Sequence, residues 1–251
     1  MAASKVPNYL RRYTDLPALL HMLSTRKITL LDPKTWDDRN DAYFMSQYKA
    51  RKNLTTLLAL CFSQVPETYH HWHVFSKGPA GVCIVFDRAE LLNALNQQIG
   101  ISVDTVEYLT LNEAKKREFT VPRLPFLKRS GFKPEGEFRA IYESQHEECA
   151  VIDIPINQSC IRSVSLSPWL NSSLSSSAIK AIRSIDGFKK LPVSRSTLIS
   201  NEQWKTFGTN AADFVLSMLT ESPSFMGNGS FRMHSFLAKS QQSDLVLLYP
   251  R

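Results

Sequence analysis

The chain has 251 residues, 43% hydrophobic and 21% charged, ordinary globular values that exclude disorder, collagen-like repeats and coiled coil as the main state. A chain of this length buries about 70–75% of its unfolded surface, so it needs neither a disulfide nor a metal to fold. Thirty Lys and Arg against 23 Asp and Glu give +7, a mild excess that suits either a soluble, slightly basic surface or a polyanion partner.

That excess is uneven. Residues 1–60 carry ten basic and five acidic side chains, 61–150 ten and twelve, and 151–251 ten and six. Two basic flanks enclose a slightly acidic middle. The opening MAASKVPNYL has no apolar core of signal-peptide length. The longest apolar stretch, near Leu54 to Phe62, falls far short of the ~20 residues of a membrane span. Cys61, Cys83, Cys149 and Cys160 show no CxxC spacing, so reduced thiols and a cytoplasmic location are expected, with Cys61 and Cys83 as small buried hydrophobes.

Asp15-Leu16-Pro17 signals a helix start, and Leu16, Leu19, Leu20 and Leu23 recur at helical spacing. Lys27 to Leu31 reads as a strand ended by Asp32-Pro33. Residues 34–53 read as an irregular loop with a helical piece near Tyr43 to Ala50. Leu57 to Ser63 and Gly81 to Phe86 are apolar runs that suit buried strands. Asp87 caps a helix over Ala89 to Leu95. Val103 to Leu109 is expected as a strand, Asn112 to Phe119 as a charged helix, and Val121 to Lys133 as an extended loop.

Further strands are expected at Glu137 to Tyr142, Ala150 to Ile154, Cys160 to Leu166 and Leu191 to Ile199. A helix is expected over Ala178 to Ile185, after a serine-rich stretch Asn171 to Ser177. The last segments are a helix over Ala211 to Leu219 and a strand over Leu245 to Tyr249. The irregular alternation predicts an α+β fold with a mixed, mostly antiparallel sheet core and flanking helices. Residues 1–206 are expected as a single domain, with 207–251 an extension packed on it.

Glycine-rich phosphate loops, GxSxG and HExxH are absent. His70-His71-Trp72-His73 lacks the partners of a zinc site; it reads better as an aromatic helix start with Trp72 buried and histidines lining a cleft or facing water. Glu135, Glu137 and Arg139, two apart, would share one face of a strand. That face is either solvent-exposed with paired charges or a pocket edge where a carboxylate polarises a hydroxyl. Arg11-Arg12 is either a surface pair or a guanidinium that forks onto phosphate. Asp37, Asp38 and Asp41 sit beside Trp36 in a capped turn or a cation loop without EF-hand spacing.

Tyr9-Leu10-Arg11-Arg12-Tyr13, Trp36-Asp37-Asp38, Cys61-Phe62-Ser63-Gln64, His71-Trp72 with Gly81 to Asp87, and Phe132 to Arg139 occur in an order that resembles the bacterial domain-of-unknown-function 2971 family over residues 8–200. Phe75 stands where that family commonly has Tyr, and Phe132 where it has Trp. The series is also remotely similar to ADP-ribosyltransferases of the Arg-Ser-Glu type, which place an arginine early, a serine at the end of a central strand and Glu-x-Glu late.

That resemblance implies an ADP-ribosyltransferase-like fold using NAD to modify a nucleic-acid or protein acceptor, in a toxin or phage-defence system with partner proteins. It implies Glu137 at the ribose, Glu135 at the acceptor, Ser63 orienting the ribose, and Arg12 (or Arg11) with Tyr13, Trp72 and Arg139 on the cofactor side. The basic Lys128, Arg129 and Lys133 would suit a nucleic-acid acceptor. Two alternatives stand beside it: a non-catalytic nucleic-acid-binding or sensor module, and a metal-dependent nuclease with its acids at Asp37, Asp38, Glu135 and Glu137.

Overall fold

In a computed structural model, residues 7–76 and 78–220 are described. Of these, the residues up to Ser200 and those from Asn201 fall into two units. The first unit begins with strand β1 (Tyr9–Asp15), helix α1 (Leu16–Thr25), β2 (Lys27–Leu31), α2 (Arg39–Arg51), β3 (Thr56–Ser63), α3 (Tyr69–Phe75), β4 (Gly81–Asp87) and α4 (Arg88–Asn96). It continues with β5 (Ile101–Thr105), β6 (Glu107–Leu109), α5 (Leu111–Ala114), β7 (Leu127–Arg129), β8 (Glu137–Ser144), β9 (Val151–Pro155), β10 (Ile161–Leu166), α6 (Ser172–Ser184) and β11 (Val193–Arg195). Helix α7 (Glu202–Thr220) belongs to the second unit.

The order β11-β10-β4-β1-β3-β2-β9 runs through the main sheet, and β8 joins β3 to β5. Only β10 and β11 run parallel in it, and β6 pairs β7 in a separate parallel ladder. The fold is therefore α+β with a mixed, mostly antiparallel sheet and flanking helices, as the alternation of elements predicts.

Strand β3 is apolar on both faces, so its successive side chains feed two cores. Leu58, Leu60 and Phe62 join Leu10, Ile84, Phe86, Leu91 and Ile182 in the main cluster. Leu57 and Ala59 pack with Met45 and Tyr48 of α2 and Ile141 of β8. Each such fully buried large aliphatic or aromatic side chain contributes about 1.5–3 kcal/mol. Cys61 and Ser63 continue the α2-facing row, and the β3–β8 ladder sets Cys61 against Arg139 and Ser63 against Glu137. One strand face thus changes from core to polar site along its length.

Several expectations are corrected. No element is expected before α1, yet Tyr9–Asp15 forms strand β1, paired with β4 over seven positions. The helical piece expected near Tyr43 to Ala50 is part of α2, which starts earlier and takes up most of the expected loop 34–53; its start is capped by Asp38 accepting from the Asn40 and Asp41 amides. Val103 to Leu109 divides at Val106, whose amide donates to the Glu137 carbonyl, and its halves enter different sheets. The charged helix stops at Ala114 and buries none of its residues, so packing does not extend it. Val121 to Lys133 is two 3-10 turns with β7 between them rather than an extended loop. The serine-rich stretch is the first half of α6, where Asn171 caps the helix and Ser175 is buried. The last expected strand of the first unit shortens to Val193–Arg195, while α7 begins well before Ala211. Leu245 to Tyr249 lies outside the described residues.

Candidate functional site

Strand β1 meets β3 at a single pair, Arg11 with Ser63. Where the two strands diverge, a cleft of about 350 Å³ opens, lined by Arg12, Tyr13, Ser63, His71, Glu135 and Glu137 and walled by Trp36, Phe75 and Phe132. Its size falls within the range of small-molecule sites. The ladder itself explains the opening, because β1, which carries Arg12, and β3, which lies between it and the strand of Glu137, share only that one pair.

The cleft floor is a buried ion cluster. Asp41, Glu135, Glu137 and Arg139 are only 3%, 4%, 5% and 0% exposed. Arg139 makes a bidentate contact with Asp41, Nη1 to Oδ1 at 2.9 Å and Nη2 to Oδ2 at 2.7 Å. Its Nε donates to Glu137 Oε1 at 2.7 Å, and Nη1 also donates to the Pro125 carbonyl at 2.6 Å. The Trp36 ring lies 4.6 Å from the guanidinium carbon. Lys128 Nζ donates to Glu135 at 2.7 Å and Glu137 at 3.2 Å, and lies 3.5 Å from Asp41.

Charges buried this deeply persist only when paired and hydrogen-bonded. Burial pushes the Glu137 carboxyl up, but Arg139 and Lys128 outweigh it and hold its pKa below the usual carboxylate value. Burial dominates at Glu135 and Asp41, whose values are raised despite Lys128 and Arg139 respectively. Two neighbouring glutamates are therefore pushed apart in acidity, a pattern that separates an ionised stabiliser from a proton carrier.

Arg12 has the opposite situation. Half-buried in the cleft wall, its guanidinium makes no hydrogen bond or ion pair among the described residues. Desolvation lowers its pKa, so an anion beside it would be favoured. Arg11, next to it, is committed to the Val65 carbonyl at 3.1 Å.

Ser63 serves the architecture of the cleft. Its hydroxyl donates to the Glu135 carbonyl at 2.8 Å and accepts from the Val65 amide at 3.3 Å. His71 Nε2 lies 3.1 Å from both Ser63 Oγ and the Glu135 carbonyl, while Nδ1 lies 2.6 Å from Thr68 Oγ. A carbonyl can only accept, so these partners assign the proton to Nε2, with Thr68 donating to Nδ1. Burial lowers the His71 pKa, and in this tautomer Nε2 is no base for the Ser63 proton. The Tyr13 ring stacks on His71 with centroids 5.2 Å apart. Its hydroxyl, buried against the Cys83 thiol, makes no well-formed hydrogen bond.

The structure thus brings Ser63, Glu135, Glu137, Arg12 and Tyr13 to one cleft. Trp72 and Arg139 do not line it. Trp72 is wholly buried behind Tyr13, with its indole N–H on Glu67 at 2.9 Å, and Arg139 is sealed beneath Glu137. Glu135 is not on the strand with Glu137; it ends a 3-10 turn, and Gly136 bends the chain between them. The solvent-facing reading of that strand face is overturned by the burial of Glu137 and Arg139. Lys128 is corrected likewise, since its ammonium is spent on carboxylates rather than offered to phosphates. Cys61, expected in a core, is half-buried at the cleft beside Glu137.

Sequence reasoning missed the roles of Asp41 and His71, although the cap at Asp38 and the histidine run were visible signals. Among the described residues no group of three His, Cys, Asp or Glu is arranged to hold a metal ion. Glu135 and Glu137 hold cations of the protein itself. No described helix is long and apolar enough to cross a membrane.

No protein-family model matches the chain, so the five-motif family resemblance has no such support, and no curated protein matches it. Among solved structures the chain is similar to DarT of Thermus sp. 2.9. In complex with carba-NAD+, that protein gives a TM-score of 0.40 at 10% identity, covering 77% of this chain and 97% of that one. In complex with ADP-ribosylated ssDNA it gives 0.41 at 12% identity over 77% and 96% of the two chains. In complex with NAD+ it gives 0.41 at 11% identity over 77% and 98%.

Proposed function

We propose that this chain is a transferase that cleaves the nicotinamide–ribose bond of NAD and passes the ADP-ribose to a nucleic-acid or protein acceptor. One observation carries the reading: a single cleft holds an unpaired guanidinium, Arg12, and a buried carboxylate, Glu137, that neighbouring cations keep ionised.

The chemistry needs both. Cleavage passes through an oxocarbenium-like state, as glycoside hydrolysis does. A preorganised carboxylate out of water stabilises the positive charge that develops on the sugar. Of the two Glu137 oxygens, Oε1 is held by Arg139 at 2.7 Å and Oε2 by Lys128 at 3.2 Å, so Oε2 is the one more readily shared with a ribose hydroxyl. Arg12 forks onto the phosphates. Trp36, Phe75 and Phe132 offer ring faces to a planar group.

The electron pair of the broken C–N bond leaves with nicotinamide. The acceptor atom forms the new bond to the same carbon, and its proton passes to Glu135, whose raised pKa suits it to the task. Ser63 and His71 hold the Glu135 backbone in register with Glu137.

The test is NAD turnover and binding by the purified protein and two variants. Glu137→Gln should lower turnover roughly 100-fold or more. Arg12→Ala should weaken NAD affinity about 10–100-fold through loss of charge-assisted hydrogen bonds. A wild-type protein that neither binds nor consumes NAD overturns the reading.

A further inference from the structure

We infer that Asp41 is a positioning residue of the proposed reaction: from helix α2 it fixes Arg139, and through that guanidinium it sets the geometry and charge of Glu137. The inference rests on the transferase reading, which assigns no role to α2.

The geometry is specific. Both Asp41 oxygens are engaged by one guanidinium, whose remaining nitrogen holds Glu137. The planar fork leaves little freedom once two of its edges are filled. Arg139 is fully buried, so water cannot replace either partner. Its face lies under Trp36, which also walls the cleft. Asp41 Oδ2 further lies 3.5 Å from Lys128, the second cation on Glu137. Asp41 thus draws on both cations that neutralise Glu137.

Three carboxylates facing two cations leave the cluster one negative charge in excess when all are ionised. Remove Asp41, and Arg139 and Lys128 are left to Glu135 and Glu137 alone. Glu137 then loses its orientation, and less of its charge remains to answer the positive sugar. The groups that face Glu137 are Arg139, Lys128, Cys61, Asp41, Glu135 and the Tyr108 hydroxyl, which accepts its backbone amide.

Two substitutions separate position from charge. Asp41→Asn removes the charge and one acceptor; Asp41→Glu keeps the charge and displaces it by one methylene. With NAD as the probe, both should lower kcat about 10–100-fold, as expected when a reacting group is misplaced by around an ångström. KM should change far less, because Arg12 is untouched. The acid limb of the kcat profile should move to lower pH in Asp41→Asn, where a repelling carboxylate is gone, and stay in place in Asp41→Glu.

A purely structural Asp41 would lower the melting temperature but leave kcat per folded molecule and the acid limb at wild-type values, and that result overturns the inference. So does a kcat within about twofold of wild type in both variants. If Asp41→Asn fails to fold, Asp41→Glu decides by its kcat. If the wild type itself turns over no NAD, the transferase reading fails and this one with it.

Discussion

Glu137 shows why the site is only partly legible from its residues. Glu135, Glu137 and Arg139 stand two apart in sequence, and that spacing alone marks them. The partners that decide their chemistry do not. Asp41 is 98 residues from Arg139, and Lys128 reads as one more basic residue in a basic stretch until its burial is known. His71 offers a test at this scale. Its pKa is depressed below the usual 6.5 by burial. The unfolded chain therefore takes up the proton first, and the stability present above that value is lost as pH falls through the window below it, at up to about 1.4 kcal/mol per pH unit. Melting temperatures measured from pH 7 down to 5 should fall more steeply for wild type than for His71→Gln. Parallel curves would show that His71 carries no such linkage.

At the scale of elements, the strands are the legible part. β3, β4 and β8 announce themselves by unbroken apolar or alternating runs. Helix α2 is legible only over its second half, because it buries just Asp41, Met45 and Tyr48 and so carries no broad apolar stripe. The hinge of the site is the turn at Gly136, with φ of +53°. A Cβ there would stand 2.6 Å from Val65 Cγ1, and the left-handed backbone alone costs a side chain about 1–2 kcal/mol. Gly136→Ala should therefore lower stability in urea by at least that amount. It should also cut NAD turnover, since the turn sets Glu135 relative to Glu137. Unchanged stability would mean that the turn adapts, and unchanged turnover that Glu135 is not needed where it stands.

Across the whole molecule, the +7 charge divides between two basic flanks and a middle that holds Ser63, Glu135 and Glu137. The flank at the amino end supplies Arg12 to the cleft. The middle supplies the carboxylates together with their own counter-cation Lys128. A ligand gripped by this arrangement should stabilise the fold as a unit. NAD at 100 times its Kd should add about 2.7 kcal/mol, visible as a rise in melting temperature that Arg12→Ala, with affinity about 10–100-fold weaker, cuts to about 0.4–1.4 kcal/mol at the same concentration. An equal rise in that variant would place the ligand elsewhere.

The lone Arg11–Ser63 pair between β1 and β3 has one more consequence. Arg12 and Tyr13 ride on one half-sheet with β4; Ser63 and Glu137 ride on the other with β8. The two halves are stitched by almost none of the rungs that bind neighbouring strands elsewhere. On the proposed reading, a substrate held by Arg12 at one end and Glu137 at the other would bridge the two halves of the sheet and supply the rungs that the β1–β3 junction lacks.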